Sequence, residues 1–104
     1  MGGINMNIEL VNRGTEGELM LSGRLDAITS PDAEKIFVDV VDRFDKVIFN
    51  LTELEYVSSA GLRALRRAQI AMRRKSGVLV LKNVKPAVME LFEITGFAAT
   101  CKFI

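Results

Sequence analysis

The chain has no histidine in its 104 residues. That absence removes histidine-activated serine and cysteine nucleophiles, and every metal site that uses imidazole. The one cysteine, Cys101, cannot form an internal disulfide. Its setting, the apolar ending AATCKFI, reads as that of a packed, unreactive thiol. No apolar run approaches the roughly 20 residues of a membrane-spanning helix. The segment MGGINMNIEL has no charged stretch leading into an apolar one, so no secretory signal is expected. Met6 stands where a myristoylation signal needs Ser or Thr, which argues against that anchor. The formal net charge is only +1, giving no overall pull toward nucleic acid or an anionic membrane. The phosphate-cradling pattern G-x-x-x-x-G-K-[ST] is missing. VSSAG lacks the glycine that a nucleophile elbow carries two residues before its serine. No catalytic residue, metal or cofactor is therefore expected, and the default location is cytoplasmic.

What is present is enough apolar material for one core. Hydrophobic residues make up 49% of the chain, and a chain this short supports a single domain over residues 1–104, with 1–5 expected to be flexible. MNIELVN (6–12) and GELMLS (17–22) read as strands joined by the turn chemistry of RGTEG, a hairpin. Ser30 then reads as the N-cap of a helix, with Pro31 at N1 and Asp32 in the first turn. Ala33, Phe37, Val40, Val41 and Phe44 recur at helical spacing. KVIFNL (46–51) reads as a strand, and a helix runs from Ser59 to about Arg74. VLVLK (78–82) reads as another strand. Pro86 opens a third helix that Gly96 closes, and FAATCKFI carries a last strand. The order β β α β α β α β predicts an α/β domain: a mixed β-sheet with helices packed mainly on one face.

The segment YVSSAGLRALRRA (56–68) carries the chemistry of most interest. On a helical wheel, Gly61, Leu62, Ala64, Leu65, Ala68, Ala71 and Met72 share the inward arc. Arg63, Arg66, Arg67, Arg73 and Arg74 share the outward one, with Ile70 among them. Between Ala60 and Lys75 there are six positive residues and no negative ones. Ser58 and Ser59 sit at the start. One serine suffices to cap one helix. If Ser58 caps, Ser59 is the first helical residue, with its hydroxyl outside the core and at the positive end of the helix dipole. A phosphate is favoured there by the first-turn N–H groups, and small Ala60 and Gly61 leave the hydroxyl open.

Three blocks in order resemble the STAS domain, and specifically the bacterial anti-sigma-factor antagonists: GRLDAITSPDAEKI, KVIFNLTELEYVSSAGLRAL and VKPAVMELFEITGF. The resemblance spans Met6 to Ile104. It implies a single STAS-like domain, not an enzyme, that in unmodified form binds an anti-sigma factor which is also a serine kinase, releasing sigma factor. Phosphorylation at Ser59, with Ser58 the alternative acceptor, switches that binding off. A metal-dependent serine phosphatase reverses the modification. The family motif commonly has Asp where this chain has Ser58, and Asn50 stands where Asp is frequent. Asp26, Thr29, Ser58, Ser59 and Gly61 are the implied partner-binding residues, with Arg66, Arg67 and Ile70 as further contacts. An apolar residue ringed by arginines has the character of an interface anchor.

Two other readings compete. The missing Asp before Ser59 also suits a STAS-type regulatory subunit, of a transporter or another complex, with no phosphorylation cycle. The arginine face could bind nucleic acid or another anionic surface. Near-neutral overall charge, and the absence of aromatic residues interleaved with the arginines, argue against nucleic acid.

Overall fold

The computed structural model describes residues 6–104; the expectation for residues 1–5 lies outside them. The elements are β1 (Met6–Asn12), β2 (Glu16–Leu25), α1 (Ser30–Arg43), β3 (Lys46–Val57), α2 (Ser59–Arg74), β4 (Val78–Lys82), α3 (Pro86–Ile94) and β5 (Lys102–Phe103), with a short 3-10 turn at Ala98–Thr100. The sheet order is β1-β2-β3-β4-β5. β1 pairs antiparallel with β2, and every later pair is parallel. Each helix therefore links a strand to its next neighbour in one constant direction. Right-handed crossovers then place all three helices on the same face.

That face is the core. Leu19 and Leu21 of β2, Val47, Phe49 and Leu51 of β3, and Leu79 and Leu81 of β4 alternate toward it. They meet Phe37, Val40 and Val41 of α1, Leu62, Leu65 and Met72 of α2, and Val88 and Phe92 of α3. Phe37 packs on Phe49 with ring centroids 4.9 Å apart. Gly96, at φ +82°, turns the chain after α3 and brings Phe97 edge-on to Phe92 at 5.0 Å. A side chain at Gly96 would be strained in that left-handed conformation. Lys75, just past α2, donates to the carbonyls of Val41, Asp42 and Phe44 at 2.7, 3.3 and 3.2 Å. One ammonium thus serves carbonyls that the end of α1 leaves without helical partners.

Two expectations change. Ser30 is not the N-cap of α1. Thr29 holds that position, and Ser30 is the first helical residue, buried. Thr29 is already helical (φ −87°, ψ −23°), and its carbonyl accepts the first helical bond, from Ala33 N. Its hydroxyl makes no cap because it is turned back into the preceding loop. Pro31 accordingly sits one place further in. The second change is β3, which runs to Val57 and not to Leu51. Between the pairs Met20↔Asn50 and Ser22↔Glu53, β2 advances two residues and β3 three; between Gly23↔Leu54 and Arg24↔Tyr56, β2 advances one and β3 two. Each bulge inserts one residue. The buried positions of this stretch are then Leu51, Leu54 and Val57, spaced by three, a spacing that hides a strand from a search for period two.

No helix of the described residues lies on the opposite face of the sheet. Glu18, 4% exposed, sits on it and accepts from Arg13 Nη1 at 2.7 Å and from Asn50 Nδ2 at 2.9 Å, with Lys82 Nζ at 3.7 Å. The Arg13 hydrogen bond, then that of Asn50, hold its carboxyl below the ordinary 4.5. This explains the amide at position 50: an Asp there would set two carboxylates against each other. Because the folded pKa is depressed, Glu18 contributes stability that is complete above its unfolded value and is lost as pH falls through its folded one. Urea midpoints measured from about pH 7 to pH 3 should therefore fall less steeply in Glu18→Gln than in the parent chain, with the variant less stable at neutrality. Asn50→Asp should be destabilised at neutral pH and recover part of the loss on acidification.

Candidate functional site

The site is built where β2 and β3 end together. Leu25 and Val57 are the last registered pair. The next residue, Ser58, is extended and donates its N–H to the Leu25 carbonyl at 2.9 Å. Its carbonyl then accepts the first bond of α2, from Leu62 N at 2.8 Å, and its hydroxyl accepts from Gly61 N at 3.2 Å. Ser58 is thus the N-cap. Gly61 lies against the end of β2 so closely that a Cβ would overlap the carbonyl oxygen and the side chain of Leu25. Ser59 is the first residue of α2 and is exposed. The first turn of α2 contains no acidic residue.

The chain leaving β2 forms the second wall. Asp26 and Thr29 organise it reciprocally. Asp26 Oδ1 accepts from the N–H groups of Ile28 and Thr29 at 3.0 and 3.1 Å. Thr29 Oγ1 accepts from Asp26 N at 2.9 Å and donates to the Arg24 carbonyl at 2.8 Å. The Thr29 N–H, foremost among these groups, keeps the Asp26 carboxyl below its ordinary 3.8. Asp26 therefore shapes the loop with one oxygen, while the other lies 3.7 Å from Arg24 Nε. The Arg24 guanidinium is stacked over the Tyr56 ring, 4.1 Å from its centroid. At the tip, Ile28 is 87% exposed.

Asp26, Thr29, Ser58, Ser59 and Gly61 thus gather at the carboxyl ends of two adjacent strands. Arg66, Arg67 and Ile70 do not. By helix rise they lie about 10 to 17 Å along α2 from Ser59. They also differ among themselves. Arg67 Nη1 is paired with both carboxylate oxygens of Glu34 on α1, at 2.8 and 3.0 Å. Arg66 lies 5.8 Å over Phe97 on the other flank. Ile70 stands outward, 41% exposed. Arg73 donates to the Thr100 carbonyl at 3.1 Å. The arginine face is therefore partly tied into the fold.

Several contributors escape a reading of the sequence. Ile28 sits in a polar turn, DAITSP, outside any helical or strand period; an isolated apolar residue between turn formers is the signal that could have found it. Arg24 and Tyr56 are brought together by strand register alone. Gln69 is buried beneath the arginines, donating to the Thr100 carbonyl and accepting from its hydroxyl at 3.1 Å. The Cys101 thiol, partly buried beside it, donates to the Phe97 carbonyl at 3.2 Å. Burial raises its pKa above 9.0, which suits a packed thiol.

Residues 7–104 match the model of the STAS domain. A Bordetella bronchiseptica protein provisionally named anti-sigma factor antagonist BtrV is 39% identical over 74 residues, covering 67% of this chain and 64% of that protein. The anti-sigma-B factor antagonist of Listeria monocytogenes is 32% identical over 97 residues, 91% of this chain and 85% of that one. An anti-sigma factor antagonist from Mycobacterium paratuberculosis shares the fold, with a TM-score of 0.84 at 21% identity over 94% of this chain and 84% of that one. Among the described residues, no helix is long and apolar enough to cross a membrane.

The two serines are separable by stability. Ser58→Ala should cost about 1 kcal/mol through loss of the cap, while Ser59→Ala should be within about 0.5 kcal/mol of the parent. Gly61→Ala should cost more than either, about 2 kcal/mol or above, because the obstacle is backbone. Denaturant unfolding of the three variants checks the order.

Proposed function

The chain belongs to the STAS domain family, and from that premise we propose that it is an anti-sigma factor antagonist switched by phosphorylation of Ser59. In unmodified form it binds an anti-sigma factor that is also a serine kinase, and sigma factor is released. The kinase modifies Ser59 and lets go, and a metal-dependent serine phosphatase restores the binding form. The chain acts by occupying its partner, not by catalysis.

One observation carries this reading: among the described residues, the hydroxyl of Ser59 has no structural task. Ser58 provides the cap, and Ser59 projects from the first position of α2 into solvent. A phosphate adds about −1.5 to −2 charges there without removing any bond that holds the fold. Ser58 in place of the family's Asp fits the same logic. It caps the helix as a carboxylate would, yet puts no negative charge beside the acceptor.

The partner surface in this reading is the loop Asp26–Thr29 together with the α2 start at Ser59 and Gly61. Ile28 supplies the apolar anchor and Asp26 the loop's shape. Arg66, Arg67 and Ile70 extend the contact along α2. Arg67 is already paired to Glu34, so its share in binding is smaller than that of Ile70.

Ser59→Asp should weaken binding to the anti-sigma factor kinase recovered with this protein from its native cells by tenfold or more, about 1.4 kcal/mol. Its melting temperature should move by less than about 3 °C. Ile28→Asp should weaken binding to a similar degree with the fold intact. Calorimetric titration and thermal scans read both. Phosphosite mapping on the same preparation should find Ser59. Wild-type affinity in Ser59→Asp would overturn the switch. Absence of phosphate under every growth condition, with a transporter subunit as the bound partner, would place the chain among STAS-type regulatory subunits.

A further inference from the structure

Ser59, Arg63, Arg66, Ile70 and Arg73 follow one another at steps of four and three residues. That spacing keeps side chains on a single stripe of a helix, and all five are exposed. The cations near the top of this stripe are not equivalent. Arg24 is stacked on Tyr56 and lies 3.7 Å from Asp26. Arg66 lies over Phe97, Arg67 is paired with Glu34, and Arg73 is bonded to the Thr100 carbonyl. Arg63 has no ion pair and no aromatic partner among the described residues. It stands one helical turn beyond Ser59.

We propose that Arg63 is the intramolecular receptor of a phosphate on Ser59. The inference rests on the reading of Ser59 as the modified residue and adds what the phosphate does next. Side chains at i and i+4 have Cβ atoms about 5–6 Å apart, and the acid-before-base order is the favourable one. A guanidinium presents a planar fork of donors that matches phosphate oxygens. No carboxylate on α2 competes, since none occurs from Ala60 to Lys75, and Glu34 and Asp26 of the neighbouring elements pair with Arg67 and Arg24 rather than with Arg63. The modification therefore changes the outward stripe twice. It adds negative charge at the top, and it withdraws the one uncommitted arginine next to it. An acidic partner surface that met Arg63 in the unmodified protein would meet a neutralised pair afterwards.

The test needs neither kinase nor partner. Phosphoserine is incorporated at position 59 of the full chain during translation, and the phosphate is titrated by phosphorus NMR. Its second pKa should rise by about half a unit in Arg63→Gln, stay unchanged in Arg74→Gln lower on the same helix, and rise by less in Arg63→Lys. Arg63 is exposed, so these variants should keep the parent's circular dichroism and melting curve. A titration in Arg63→Gln within about a tenth of a unit of the parent would overturn the assignment, whatever Ser59→Asp does to partner binding. A full shift in a protein whose partner affinity ignores Ser59→Asp would support the receptor and overturn only the switch.

Discussion

The carbonyl of Leu25 is the point on which the functional end of the molecule is built. It accepts the N–H of Ser58, and Gly61 rests against it. The net value of one such hydrogen bond is only about 1 kcal/mol, but leaving the group buried and unmet costs as much or more. Its larger effect is positional. The end of β2 and the first turn of α2 are locked together, though Ser58 lies 33 positions after Leu25. Asp26 leaves one side of the lock and Ser59 the other. A side chain at position 61 would lift α2 off the strand, disturbing the loop, the cap and the outward stripe together.

The strands reach that point by different routes. β2 goes there almost directly, while β3 takes two extra residues over the same distance. The bulges let Leu54 and Val57 follow Leu51 inward and release Tyr56 to meet Arg24. On the helix-free face, Glu18 ties the β1–β2 turn to β3 and β4 through Arg13, Asn50 and Lys82. Three polar groups on three segments surround one buried carboxylate, whose burial would otherwise be costly. The sheet is thus fastened from the side that no helix covers, leaving the helix side to the apolar core.

Local signals made much of this legible before any coordinates. β1, α2, β4 and α3 fall at or within a residue of where periodicity and end signals place them, because each keeps one period along its length and has Gly, Pro or Ser near an end. What escapes them depends mostly on partners remote in sequence. The start of α1 is the exception, set by a local turn: the Thr29 hydroxyl is held by Asp26 N and the Arg24 carbonyl, and Ser30 is already helical. The far half of β3 was missed because bulges belong to a pair of strands, not to either alone. Gln69 is polar on an inward arc, and only the 3-10 turn carrying Thr100 explains its burial. For the site, the grouping of Asp26, Thr29, Ser58, Ser59 and Gly61 is legible through the resemblance to STAS domains, and their place at two adjacent strand ends comes from the sheet order. The unequal commitments of the arginines were not, since a helical wheel cannot show what Glu34, Phe97 and Thr100 hold.

A binding switch that leaves the fold standing requires that cap and acceptor be different residues. Were the acceptor also the cap, modification would remove a hydrogen bond from the first turn and alter the helix it regulates. With Ser58 holding Gly61 N, a phosphate one residue later would displace no bond of the cap and would meet the positive end of α2, with Arg63 one turn further on. There it interacts favourably with the dipole, by about 0.3–1 kcal/mol. Across an interface the same charge placed against a like charge costs several kcal/mol. The two effects differ in size and in sign: in the proposed switch, the modified protein would be no less stable, yet would be excluded from its partner. Ser58 is better suited to this division than a carboxylate cap. A fixed negative charge at the neighbouring position would already occupy the dipole and repel the phosphate, narrowing the contrast between the two states.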